Sequence, residues 1–490
     1  MQGDEPRTNV EVFFIFPSNI EYLIKCYNGL PDFVTTKNDS TGITIMQEKV
    51  DYIPAVAKEE YTKYRSHLMR FEYTLAYNRY NSSLRVYSWA KVSNNLYNSL
   101  YELPKSDVSV VAKLAKKLEI KNGTIEQKVR AVESYIKSEI SIAEALKQTP
   151  SLKEIIDYKQ TTKFGATRLF INVLLQLNIP FELALTCDRN NRVFDPEFNG
   201  WNFLDNYLIY FPDLNQYIVP DNPDIRLGVN ATDYQGQYGL FLHPVRYNDK
   251  LSSLAFKVKK LPISPVYGSI DSLHVKVECD LDKLKTDAVI HRELSGTLGY
   301  SFQSFWEGVN EEKRKELISN VFDMGEKKTN ILTFSVKNGS RNDIGINPII
   351  MDVNLTANSL IESAGNDFIF NVGQTIGTQS EMYQVTERKL PIDIDFAHGF
   401  SRMIEVNIPA GYKISNLDDI KMRVEMKVDG KVSAYFASWY ELKGSTVYIY
   451  SREMYPEVSY PVEYFGEFRE VINAAADFNK KSLIFTPLSQ

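Results

Sequence analysis

Three thiols, five imidazoles, a carboxylate pair and one lysine at the head of an apolar helix are the groups in this chain whose chemistry could go beyond packing. Cys26, Cys187 and Cys279 are scattered, show no CxxC spacing and are odd in number, so neither a disulfide framework nor a zinc site is indicated; they read as small buried hydrophobes. A nucleophilic cysteine needs a helix N-terminus or a neighbouring cation to stabilise its thiolate. Cys187 instead falls within the strand-like stretch FELALTCD. None of His67, His243, His274, His291 and His398 stands at motif spacing from a thiol or hydroxyl, which makes each a structural histidine. Asp195 and Glu197 in VFDPEFNGWNF invite a glycosidase reading. That chemistry wants two carboxyls roughly 5 to 9.5 Å apart across a sugar cleft, which neighbours in a Pro-containing loop meet only by accident, so a solvated loop is the better reading. Lys163 opens an apolar helix, where burial and the positive helix end would both lower an amine's pKa, but an amine nucleophile also needs a base. No GxxxxGK[ST] and no strand-to-helix GxGxxG is present, and no cofactor or metal is implied.

The elements that would position these groups change character along the chain. Residues 9–95 have a strand pattern: MRFEYTLAY sets Met69, Phe71, Tyr73, Leu75 and Tyr77 against Arg70, Glu72 and Thr74, and predicts an apolar buried face. SLRVYSWAKV, after the turn YNRYNSS, completes an expected hairpin. From Ser106 to Phe181 the period becomes helical. Thr124 and Gln127 form a capping box ahead of Ile125, Val129, Val132, Ile136 and Ile140, and an earlier helix carries Val110, Val111, Leu114 and Leu118. From about Ala166, the residues Leu169, Phe170, Val173, Leu174 and Leu177 make a wide stripe, which predicts the buried central helix. FELALTCD and YLIYFPDLNQYIVPD then read as strands, giving an α+β layout.

Past about 262 the pattern is again β, with a helix capped by Asn310 and a hairpin turning at Asp429-Gly430. Tyr464, Phe468, Val471, Ile472, Ala475 and Phe478 predict a last amphipathic helix. The expected division is 1–98, a β-sandwich domain; 99–262, an α+β core; and 263–490, a β-rich region with a further break near 380.

Composition bounds the partners. The 490 residues are 43% hydrophobic, enough for several cores, and the net charge of −6 offers no basic footprint for nucleic acid. No run approaches the roughly 18 apolar residues of a membrane span; VFFIFP from Val12 is strand-length. The opening MQGDEPRTN carries no basic stretch followed by an apolar core, so compartment is not legible there.

The middle of the chain, GATRLFINVLLQLNIPFELALTCDRNNRVFDPEFNGWNFLDNYLIYFPDLNQYIVPDN, resembles the transglutaminase-like, papain-related core. The resemblance extends to DYIPAVAKEEYTKYRSHLMRFEYTL before it, and to TERKLPIDIDF, MIEVNIPAGYKI and EYFGEFREVINAAADF behind it. In that family a cysteine begins the buried helix, a histidine opens a later strand and an acid orients the histidine. The pattern puts Lys163 where the cysteine would be, Asn206 where the histidine would be, and Asp221 at the acid, or Pro220 with a one-residue slip. Asn206 cannot take a proton at any useful pH, so the resemblance implies a degenerate triad.

What the resemblance further implies is an inert member of that superfamily with β-sandwich domains on either side of its core. It would act as an exported binding or scaffold component, periplasmic or attached to the outer membrane as a lipoprotein, in a Gram-negative bacterium. Its partners would be an outer-membrane transporter or export complex, with a peptide or glycan as ligand. Trp201, Phe203 and Tyr207 are the expected groove lining. The competing reading is a cysteine-independent hydrolase or transferase using the same cleft.

Overall fold

The computed structural model describes residues 1–248, 250–324, 329–383 and 387–488; Thr386, the first residue of TERKLPIDIDF, lies outside them. The chain is mixed α and β and forms two compact units, Met1–Pro262 and Ile263–Gln490.

The first unit begins with two small antiparallel sheets. Arg7–Pro17, Ile43–Ile53 and Val34–Asn38 form one, and Ile20–Tyr27 pairs with Arg70–Asn78 in the other. Val10, Val50, Ile53, Cys26 and Phe71 pack between them. The strand Arg70–Asn78 corrects the alternation argument: Glu72, Thr74 and Ala76 are its buried face, whereas Tyr73 is exposed. The aromatic face is only partly covered, with Phe71 and Leu75 half-buried, while the polar face is buried and served by a loop. Glu72 sits 3.4 Å from the guanidiniums of Arg70 and Arg192 and accepts from the Asn202 amide at 2.6 Å. A carboxylate so compensated can be buried where an unpaired one could not.

The expected hairpin also differs. Only one bridge, Tyr77 to Arg85, forms, and the chain then enters helix α1, Trp89–Leu96, whose N-cap Ser88 accepts from the Lys91 amide. The cap and the burial of Trp89, Ser93 and Leu96 outweigh the strand preference of Val86 and Tyr87. A wider helical turn, Tyr97–Tyr101, continues α1, so a boundary at 98 would cut a helical run whose Leu100 and Tyr101 belong to the main core.

Four more helices follow: α2, Lys105–Leu118; α3, Ile125–Glu139, with the Thr124–Gln127 capping box in place; α4, Leu152–Tyr158; and α5, Lys163–Gln176. Helix α5 is central, its Leu169, Phe170, Ile171, Val173 and Leu174 fully buried, with α2, α3 and α4 against it. It lies on an antiparallel sheet in the order Gln216–Ile218, Asn206–Phe211, Glu182–Thr186, Tyr238–Tyr247, Lys250–Lys260. Side chains alternate between the faces of that sheet. Leu183, Leu185, Ile209 and Phe211 join the α5 core, while Ala184, Leu208, Tyr217 and Phe241 form a second core behind it.

The second unit is built on an eight-stranded sheet in which Ile270–Asp280 runs parallel to His398–Asn407. That ladder joins chain on either side of position 380, so a division there would split one continuous sheet. Helices α6, Gly296–Gln303, α7, Glu311–Val321, and α8, Phe465–Asn479, belong to this unit. Asn310 caps α7, and α8 packs on the hairpin Met422–Val428 and Lys431–Lys443. Asp429 and Gly430, at φ of 51° and 76°, make its two-residue turn, the left-handed pair such a turn demands. A four-stranded sheet of Ile361–Ala364, Asp367–Phe370, Leu483–Pro487 and Tyr412–Ile414 completes the unit, in place of a plain β-sandwich.

Candidate functional site

The start of α5 is fixed by its neighbours. Thr162 caps it, accepting from the Gly165 amide at 3.1 Å and sharing a 2.8 Å hydrogen bond with Thr149. Gly165 allows this close approach, since a Cβ there would fall 2.1 Å from the Thr161 hydroxyl oxygen. Lys163, the first helical residue, points into solvent with 70% of its side chain exposed, and its Nζ lies 3.5 Å from Asp221 Oδ2.

The structure thus brings Lys163 and Asp221 together, but not Asn206. Asn206 pairs with Thr186, and alternation places both with Ala184 and Leu208 on the sheet face turned away from α5. Tyr207 is the residue on the α5 side, its ring edge-on to Phe164 at 6.0 Å. Of the expected groove residues, Trp201 is exposed and Tyr207 half-buried, whereas Phe203 is fully buried against Phe194, ring centroids 5.1 Å apart. Phe203 is therefore a core residue, set there by the short helical turn Trp201–Phe203.

Beside the ion pair lies a cleft of about 330 Å³ between the end of α3, Ala166 of α5 and the loop carrying Pro220, Asp221 and Pro223. Lys137 reaches it from α3, and this residue carries a feature that the sequence pattern hid. Its side chain is 1% exposed, and its ammonium donates to Glu133 at 2.9 Å and to the Ile225 carbonyl. Burial holds its pKa down, with Glu133 opposing. Glu133 in turn accepts from the Leu227 amide through both oxygens, at 3.1 and 3.0 Å. In sequence the two are an ordinary i, i+4 pair beside the apolar stripe of α3. In the fold they pin the segment Ile225–Leu227.

The thiols are unsuited to nucleophilic work. Burial pushes Cys187 up to about 12, and its sulfur lies 3.6 Å from both the Arg192 carbonyl and the Gln237 amide nitrogen. Burial likewise raises Cys279 to about 12 and Cys26 to about 11. The histidines lie apart from them. His67 closes the turn Tyr64–His67 and His243 is exposed on its strand. His274 sits 3.6 Å from Glu405. His291 is held between Asp352 at 2.7 Å and Glu293 at 2.9 Å, which raise its pKa; His398 is packed against Phe396, Phe400 and Tyr455, and burial lowers its pKa.

Asp195 is not a solvated loop acid. It accepts from the Tyr27 hydroxyl at 2.8 Å and pairs with Lys25, and with the Glu197 amide these contacts hold its pKa down against burial. It braces the strand Ile20–Tyr27 against the loop. Among the described residues no three His, Cys, Asp or Glu side chains converge as metal ligands, and no helix is long and apolar enough to cross a membrane.

Comparison with known proteins gives a fold and little more. Residues 366–485 match a family described as a domain of unknown function with a solved structure, DUF3858. No curated protein matches the chain. A crystal structure from Parabacteroides distasonis ATCC 8503, titled a "putative protease", superposes with a TM-score of 0.56 at 12% identity, over 99% of this chain and 74% of that one. At that identity the likeness is one of architecture.

Proposed function

We propose that this protein is a catalytically inert relative of the transglutaminase-like enzymes, whose cleft beside α5 grips an extended peptide without cutting or joining it. The observation carrying this reading is Lys163: a solvated ammonium, paired with Asp221, occupies the helix N-terminus where a thiol would be the nucleophile. The "putative protease" likeness supports a peptide as the ligand. So does the backbone at the cleft. Ser141 N and Ala143 N donate to Lys159 O and Thr161 O, so the N–H and C=O of Ile142, a cleft residue, point away from that pair and have no partner among the described residues, which suits an extended ligand. By the same resemblance the protein works outside the cytoplasm, with an outer-membrane transporter or export complex as partner.

Amine incorporation and peptidase assays on the purified protein test the inert reading. Neither activity is expected above a Lys163→Ala control, and turnover that this substitution abolishes would overturn it. Binding of a degenerate fluorescent peptide pool should fall in Ile142→Pro, which removes an N–H that the fold does not use. Fractionation of the source cells and affinity purification from their membranes test the location and the partner.

A further inference from the structure

The cleft beside α5 is rich in acceptors and poor in donors. One wall is the last turn of α3, Ile136 to Ile140, and the final backbone bond of that helix runs from Ile140 N to Ile136 O. The carbonyls of Lys137, Ser138 and Glu139 accept from no described residue and carry the negative end of the helix dipole. Glu139, exposed in the same wall, has a carboxylate without a partner among the described residues. The facing loop adds the Asp221 carboxylate, and Pro220 and Pro223 beside it have no N–H to offer. The donors are mostly committed. The Ser141 hydroxyl serves Lys159 O at 3.1 Å, and Lys137, the only cation among the described lining residues, is held by Glu133 and the Ile225 carbonyl. Lys163, at the mouth, lies 3.5 Å from Asp221.

These walls sort the side chains that an extended peptide could present. A carboxylate would face Asp221, Glu139 and three helix carbonyls at once. An aliphatic side chain would suit Ile142 and Pro223, the more open part of the apolar lining, and would gain nothing from the carboxylates. An arginine or lysine uses both, laying its methylene stem on the apolar wall and its charged head on the acids. Lys163 already makes the contact with Asp221 that such a head would make, from a side chain 70% exposed that can swing away at little cost. We infer, on the reading that this cleft takes an extended peptide, that it selects a segment presenting arginine or lysine, and that Lys163 is a tethered competitor which the incoming residue displaces from Asp221. Charge at Asp221 and Glu139 sets the preference, and position 163 holds it in check.

Calorimetry on the full chain with the peptides Ala-Val-X-Val-Ala, X being arginine, leucine or glutamate, tests this; acetyl and amide ends remove the terminal charges. The arginine peptide should bind about fivefold more tightly than the leucine one, and the glutamate peptide most weakly. Asp221→Asn should bring arginine to within about twofold of leucine, and Glu139→Gln, at an exposed position, should narrow the gap as well. Lys163→Ala should widen it about threefold, since Asp221 then has no resident cation. Equal binding of the arginine and leucine peptides, a preference for glutamate, or a gap that neither Asp221→Asn nor Lys163→Ala changes would overturn the inference and leave the peptide cleft standing. Failure of all three peptides and of the degenerate pool to bind would overturn the peptide reading, and this inference with it.

Discussion

Glu453 makes a quantitative demand on the second unit. It lies on the inward face of the strand Thr446–Tyr455, 7% exposed, and accepts from the Tyr455 hydroxyl at 2.5 Å. The nearby guanidinium of Arg402 is committed to Asp271, at 2.8 Å to its carbonyl and 2.7 Å to its carboxylate. Burial therefore dominates and raises the Glu453 carboxyl from 4.5 to about 7, with Tyr455 and Arg402 opposing. Ionising it in the folded state then costs about 3 kcal/mol more than in the unfolded chain. The sign follows: this acid is more basic when folded, so the penalty is absent below 4.5, grows as pH rises and is complete above about 7. Glu453→Gln keeps the acceptor for Tyr455 and removes the charge. It should stabilise the second unit by up to about 3 kcal/mol near pH 8 and by almost nothing near pH 4. Because the chain has two units, native-state hydrogen exchange of the strands His398–Asn407 and Thr446–Tyr455 is the appropriate measurement rather than a single melting curve. An equal gain at both pH values would refute the assignment of the cost to a buried charge.

Other consequences are more local. Lys137→Met strands the buried Glu133 carboxylate and should destabilise the first unit by about 3–5 kcal/mol, and adding Glu133→Gln should recover much of that; urea titration of the wild type and the two variants checks both steps. Gly165→Ala should lower the melting temperature of the first unit by several degrees, since the new methyl meets Thr161 at 2.1 Å; an unchanged transition would mean that this turn shifts freely. Cys187 and Cys279 should resist alkylation near pH 8 until denaturant is added, with thiol counting by mass spectrometry as the readout.

The fold was legible wherever a local rule met no competitor. The capping box at Thr124, the turn at Asp429-Gly430 and the stripe through α5 each express backbone chemistry that burial reinforces. Alternation failed at Arg70–Asn78 because it separates two faces without saying which is covered, and here the polar one is the more deeply buried. The groove expectation drawn from the resemblance failed at Phe203, which a short turn sends into the core. The second unit's sheet could not be divided correctly by reading along the chain, since its parallel ladder pairs residues more than a hundred positions apart. At the candidate site, Lys163 and Asp221 meet, but which face Asn206 takes depends on a strand register that composition does not encode.

That division between fold and chemistry bears on position 163 itself. An exposed ion pair of this kind contributes at most about 1 kcal/mol, so nothing in the packing requires a lysine there. The helix N-terminus persists whatever side chain stands on it, because Thr162 caps it and the buried stripe holds it. Lys163→Cys should therefore fold, and its thiol should titrate below the ~8.5 of a free cysteine, since the unsatisfied amides of the first turn favour a thiolate. Asp221 pulls the other way as a nearby negative charge, so Lys163→Cys with Asp221→Asn should titrate lower still. Alkylation rate against pH gives both values, with Cys187 and Cys279 silent as internal references. A thiol at 163 that titrates at or above the free value in both variants would mean that this helix end does not stabilise a thiolate. A lowered value in both would mean that the backbone at this helix end can activate a thiol whatever side chain position 163 carries.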